Sequence, residues 1–447
     1  MSTLHRCAHH RGRSYGRAMV TALAAIATLG LAPSLQAQQK EIKIGVIYDY
    51  TGAFAAGGSA AAGIGTKAAI DMINERGGIE GYRIKATYAD AQSKAEVAIN
   101  EMTRLLDQEK VDIVMGVFSS AHCVPMAQQM DSRKKFFWAN VCVASAVLKD
   151  KKLQYVFRAQ VHSDQFGEAS CTFLHEQAKA KLGKDPKDLK VAIIYEDGPY
   201  GAGVASGNES KCKSLGLQTV LKEGYAATSP DLSSLITKLR RAAPDVILHT
   251  GYNPDITLFW RQAKEQGLKW SALIGHGAGY GQYDKLREAF GKDAEFIYNV
   301  DPVAAQLLDT KSLKPGLGDI TKEMIKRYTA EIKDRKVDEI PPHVSMGFNQ
   351  SWILFTDVLP RAIKKYGGID SESLRKAALE TDIPSGGTIQ GYGVKFFQPG
   401  TPMSGQNERS SPVVMQYIGG DTKIVWPAAI KTADPVLPLP KGHTYAR

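Results

Sequence analysis

The chain has 447 residues, of which 43% are hydrophobic and 23% charged, with a formal net charge of +10. That length suffices for two or three ordinary domains with real cores. The basic excess is spread along the chain without a long basic block. A solvated surface explains it better than nucleic-acid binding, and no nucleic-acid partner is expected.

At the N-terminus, Arg6, Arg11, Arg13 and Arg17 precede an apolar stretch from Ala18 to Leu31, followed by Pro33 and Ala37. A basic region, a short hydrophobic region and small residues make a secretory signal, expected to be cleaved near Ala37. The apolar run is short for a bilayer, and no second candidate follows. The mature chain, left at +6 without those four arginines, is expected to be exported and soluble. Without Cys7 it keeps Cys123, Cys142, Cys171 and Cys212. Four cysteines allow three pairings in an oxidising compartment. None has zinc spacing, so no metal is expected.

Glu41–Tyr48 reads as a strand, followed by a Gly/Ala loop, a helix to Glu75, a strand at Arg83–Ala89 and a helix at Lys94–Gln108. Val111–Phe118 and Phe136–Ala139 are strands ending in small-residue loops, Ser119–His122 and Asn140–Ser145, with a helix from near Pro125 between them. Consecutive strand ends of this kind line the carboxyl edge of a parallel sheet, where open α/β folds bind ligands. Free N–H groups and hydroxyls at a helix start favour an anion. The βα pattern then repeats. Strands at Lys190–Tyr195, Gln218–Tyr225, Val246–Thr250 and Ala272–Gly275 alternate with helices, so the expected class is α/β with two parallel-sheet units. Region 296–385 starts with a strand, Glu295–Val300, and is then helix-rich. Ser411–Tyr417 and Asp421–Trp426 read as a hairpin.

The glycines of Gly57–Gly65 fit neither a phosphate loop nor a dinucleotide fingerprint, so no cofactor is expected. Ser119 and Ser120 sit in no nucleophile elbow, and no base–orienter set accompanies His122; an amidase or hydrolase is disfavoured. Tyr50, Tyr200, Tyr252 and His276 stand at or just after strand ends, where a cleft wall and a core role weigh about evenly. Asn208 opens a glycosylation triplet, a weak pattern. Cys123 and Cys142 follow neighbouring strand ends, and Cys171 and Cys212 flank one strand. The pairing 123–142 and 171–212 is therefore expected, with buried free thiols as the alternative.

In IKIGVIYDYTGAFAAGG, AIDMINERGGIEGYRI, ATYADAQSKAEVA, VDIVMGVFSS, VAIIYEDGPYGAG and PDVILHTGY, the chain resembles the type I periplasmic solute-binding proteins of ABC transporters, branched-chain amino-acid branch. The resemblance runs from residue 41 to about 280 and more weakly to about 426. It implies two lobes joined by three crossovers near 158, 295 and 386: residues 38–158 with 296–385, and 159–295 with 386–447. It further implies a monomeric, non-catalytic receptor in the periplasm that closes on a solute and hands it to a membrane permease; a sensor feeding a membrane kinase or chemoreceptor is the alternative. The serine matching Ser120 holds the carboxylate in amino-acid binders. A threonine contact falls on Ala144, the ammonium-binding glutamate on Gly277, and a bulky aromatic on Gly57. That pattern implies a carboxylate without an α-amino group, aromatic or otherwise bulky, in an enlarged pocket; a branched-chain amino-acid binder is the alternative. Ser119, Ser120, Cys142, Val143, Ala144, Tyr50, Thr51 and Phe54 would hold it from the first lobe, and Tyr200, Tyr252 and His276 from the second.

Overall fold

The computed structural model describes residues 40–333 and 340–447; the expected signal segment and its cleavage point lie outside them. The first sheet is built by β1 (Lys40–Tyr48), α1 (Ala60–Glu75), β2 (Tyr82–Asp90), α2 (Ala95–Asp107), β3 (Ile113–Gly116), α3 (Ser120–Ser132), β4 (Phe136–Ala139) and β5 (Val156–Phe157). Its order is β2-β1-β3-β4-β5, and every pairing is parallel. The inner strands β3 and β4 are buried throughout, as apolar strands covered on both faces must be.

The second unit runs through α4 (Ser163–Leu182), β6 (Lys190–Glu196), α5 (Pro199–Ser214), β7 (Gln218–Tyr225), α6 (Ser233–Ala242), β8 (Val246–Thr250), α7 (Asn253–Glu265), β9 (Ala272–His276), α8 (Tyr283–Phe290) and β10 (Tyr298–Asp301). Then follow α9 (Leu317–Glu331), α10 (Pro342–Ile353), which passes through a wide turn into α11 (Leu359–Tyr366), and α12 (Ser371–Leu379). The chain ends with a short pair, β11 (Asp382–Ile383) and β12 (Val394–Lys395), and a hairpin, β13 (Val413–Ile418) and β14 (Asp421–Trp426). The second sheet has the order β14-β13-β10-β9-β8-β6-β7, antiparallel only at β13 and β14.

Three expectations need correction. Helix α3 starts at Ser120, five residues before Pro125, because its first turn closes on Ser119: His122 N–H and Cys123 N–H both donate to the Ser119 carbonyl. Strand β10 pairs with β9 and β13, so the chain leaves the second sheet after Asp301 and not near 295. Phe396 packs on Trp138 and Phe157, and Arg158 N–H donates to Gly405 O, so the last crossing follows about residue 405 rather than 386.

Helix α10 lies against α1 at the closest approach two backbones allow. A Cβ on Gly65 would stand 2.2 Å from Val344 O, and one on Gly347 would stand 2.0 Å from Ala62 O. Trp138 Nε1–H and Thr66 Oγ1–H donate to carbonyls of α10, fastening it over the first sheet. Asn208 is buried inside α5 and donates to Ser170, so its glycosylation triplet is not presented to solvent. No helix among the described residues is long and apolar enough to cross a membrane.

Candidate functional site

Both sheets aim their carboxyl ends at one point. β3 passes through Phe118 into α3, and β4 into residues 140–145. From the second sheet come Gly277 and Ala278 after β9, Asp301 at the end of β10, and Tyr200 and Tyr252 at the starts of α5 and α7. Together they enclose a cavity of about 30 Å³, room for about two waters. The enlargement expected from Gly57 is not seen: a Cβ there would meet Asn253 Oδ1 at 3.1 Å, and the aromatic of this loop beside the cavity wall is Phe54. Its ring lies 4.5 Å from Tyr252, 5.8 Å from His122 and 6.2 Å from Phe118. A larger groove, about 550 Å³, runs alongside between residues 55–64 and α8. The small cavity is the better candidate despite its size, since the strand ends and unpartnered buried polar atoms converge there.

Ser120 is 2% exposed and lines the cavity. Ala144 N–H donates to its Oγ at 3.1 Å. With that lone pair engaged, the hydroxyl proton is left to donate, which suits an anion. The Ala144 amide is thereby spent on Ser120 and does not itself face a ligand. Cys142 is not available either: its N–H donates to Val117 O, and its sulfur is bonded to Cys123. Val143 lines the cavity with its side chain, while its carbonyl accepts from Ser163 N–H. Arg158 holds this loop from behind. Its Nη1 donates to Cys142 O at 3.0 Å and Ala144 O at 2.9 Å, and its Nε to Gln406 at 2.6 Å. Burial pulls the guanidinium down to about 9. At the root of the loop Val117 has φ +67°, a left-handed backbone that a β-branched residue seldom adopts.

Ser119 is buried with its hydroxyl against that of Tyr252. His122 lies on α3 with Nδ1 3.6 Å from Asp49; burial pushes the histidine down to about 4 and the aspartate up to about 6. Of the first loop, Phe54 packs on the wall residues Phe118 and Tyr252 without lining the cavity itself. Thr51 is exposed and bonded to Asp90, and Tyr50 packs against Tyr48, away from the cavity. In the second unit, Tyr200 and Tyr252 line the cavity with rings 5.4 Å apart, and Tyr200 donates to His276 O at 2.5 Å. The His276 side chain, however, is turned into the core. It meets Thr250 at 2.9 Å and Ser170 at 3.1 Å, and burial pushes it down to about 4. The next residue, Gly277, is the one that faces the cavity.

Sequence reasoning missed Phe118, Val141, Phe166, Ala278, Asp301, His343 and Met346, which also line the cavity. Phe118 and Val141 carried a signal, in the two strand-end loops already singled out, as did Asp301, an acid closing an apolar strand. Phe166, His343 and Met346 depend on packing between distant segments. The disulfides join Cys123 to Cys142 and Cys171 to Cys212. The described residues hold no cluster of metal-ligating side chains.

Residues 41–406 match the periplasmic binding protein family. The chain is 33% identical over 417 residues to the Leu/Ile/Val-binding protein homolog 7 of Brucella suis biovar 1 (strain 1330), covering 93% of this chain and 99% of that one. Among solved structures, its fold is similar to a branched-chain amino acid transporter substrate-binding protein from Streptococcus pneumoniae in complex with isoleucine (TM-score 0.68, 20% identity, 89% and 100% covered). It is equally similar to a solute-binding protein of an ABC transporter from R. palustris in complex with benzoate (TM-score 0.68, 17% identity, 88% and 98% covered). The match along the chain, the two sheets and the site between them have one meaning: this protein is a solute-binding receptor, not an enzyme, and belongs to the type I periplasmic binding proteins of ABC transporters.

Proposed function

We propose that this receptor captures a small aromatic or otherwise bulky carboxylate between its lobes and delivers it, as an exported monomer released from its signal segment near Ala37, to a membrane permease. The observation that carries the ligand class is Ser120, whose hydroxyl is turned into a donor by Ala144 N–H and opens on a cavity walled by Phe118, Tyr200 and Tyr252. A donor at one end and aromatic faces around the middle suit a carboxylate on a ring. A solute of that size enters when the lobes part at the crossings, so binding is accompanied by hinge closure. The solved relatives include both a benzoate and an isoleucine complex, so the fold alone leaves the choice to the side chains.

A thermal-shift screen of aromatic and aliphatic acids beside leucine, isoleucine and valine finds the ligand, since one that binds only the folded state raises its melting temperature. Calorimetry on Ser120→Ala should then show about tenfold weaker binding or more, the loss of one hydrogen bond to a charged group. Carboxylate binding untouched by that substitution would remove Ser120 from the site.

A further inference from the structure

The wall that the second sheet gives the cavity holds a group with no structural task. Asp301 is fully buried, yet its Oδ1 has no hydrogen-bond partner, and its Oδ2 meets only Asn299 Nδ2, at 3.4 Å. No ion pair reaches it among the described residues. The titratable groups around it are Tyr200 from α5, whose proton is given to His276 O, Tyr252 from α7, and His343 from α10. His343 Nδ1 faces Gln282 at 2.9 Å. Two glycines leave Asp301 uncovered: a Cβ on Gly277 would stand 3.4 Å from Oδ1, and one on Gly281 2.9 Å from Oδ2. Buried polar groups are ordinarily paired, and an unpaired one inside a ligand cavity points to the ligand.

We infer that Asp301 selects for a solute carrying a hydroxyl at the end remote from its carboxylate, and pairs with that hydroxyl. This rests on the carboxylate reading above and adds the chemistry of the other end. Burial holds the Asp301 carboxyl well above the usual carboxylate range, so it keeps its proton and offers one donor and one acceptor. A hydroxyl needs that pair. An ammonium needs up to three acceptors and an ionised acid, whereas only one long donor is present to support the charge. The glutamate expected at residue 277 is thus absent, but the site still has an acid, supplied by a different strand. A cavity built around a hydrogen bond rejects the analogue that lacks it more strongly than a merely apolar pocket rejects a missing methylene.

The test is calorimetry on the exported protein with two matched pairs, benzoate with 4-hydroxybenzoate and pentanoate with 5-hydroxypentanoate, and with leucine. Wild type, Asp301→Asn, Asp301→Leu and Ser120→Ala are compared, each with its urea midpoint taken alongside. In at least one pair the hydroxylated acid should bind wild type tenfold or more tightly than its partner. Asp301→Asn, which keeps a donor and an acceptor, should retain most of that preference; Asp301→Leu should erase it while keeping the plain acid. Equal binding within both pairs, or a preference that survives in a folded Asp301→Leu, overturns the assignment of Asp301 while a Ser120-dependent carboxylate site stands. Tight leucine binding lost in Asp301→Asn overturns it in favour of an ammonium partner. If wild type binds none of the four acids, or Ser120→Ala leaves their binding unchanged, the carboxylate reading falls and this inference with it.

Discussion

The two lobes build their halves of the site in different ways. The first lobe takes most of its wall from one run: β3, the start of α3, β4 and the 140–145 loop supply Phe118, Ser120, Val141 and Val143, tied together by Ala144 N–H and the 123–142 disulfide, while His343 and Met346 are added by α10. The second lobe's wall is assembled from α4, α5, α7, the β9 end and the β10 end. Its expected contact, His276, is a core residue linking β9 to Thr250 and Ser170, and the acid that lines the wall is the buried Asp301. A wall made from adjacent strand ends has its residues named by chain order. A wall assembled from scattered segments has them named by which side chains the packing turns inward.

The contrast can be broken at four places. Arg158→Met should cost most, about 3 kcal/mol or more by urea unfolding. It leaves the buried carbonyls of Cys142 and Ala144 and the Gln406 side chain without their donor, each loss being worth about 1–3 kcal/mol. An unchanged midpoint would show that the loop does not depend on the guanidinium. The two disulfides compare the lobes directly. Replacing either pair by alanine should cost about 2–4 kcal/mol of stability. Only Cys123→Ala with Cys142→Ala should also weaken ligand binding, because that bridge pins the Ser120 wall, whereas the 171–212 bridge ties α4 to α5. Equal binding losses from both pairs would erase the distinction.

His276→Ala should lower stability by about 2–3 kcal/mol through a cavity and lost hydrogen bonds, and leave the rank order of bound acids as in wild type. A reordering in calorimetry would return His276 to the ligand. The last effect is in pH. Folded Asp301 holds a proton that the unfolded chain releases above its ordinary value of 3.8, so its contribution to stability falls as pH rises. The stability of Asp301→Asn relative to wild type should therefore grow by up to about 1.4 kcal/mol per pH unit above that value, until the folded carboxyl ionises. Parallel denaturation profiles for the two proteins between pH 5 and 7 would show that Asp301 is ionised in the fold.

The alternation of strands and helices, and the strand-end loops from which Ser120, Tyr200 and Tyr252 line the cavity, were legible in the chain itself. They follow from hydrophobic periodicity and from the rule that ligands meet parallel strands at their carboxyl ends, both local properties of a stretch of residues. Thr51 and Tyr50 stood in the same kind of loop, yet Asp90 and Tyr48 claim them, and only the folded chain decides such competition. The same holds for Asp301 and His343. They reach the cavity because β10 lies beside β9 and because α10 presses on α1 through two glycines. Contacts of that kind depend on the volumes and backbone approach of segments far apart in sequence, which no local pattern encodes, so the Ser120 wall was set by the sequence and the placing of Asp301 and His343 by the tertiary structure.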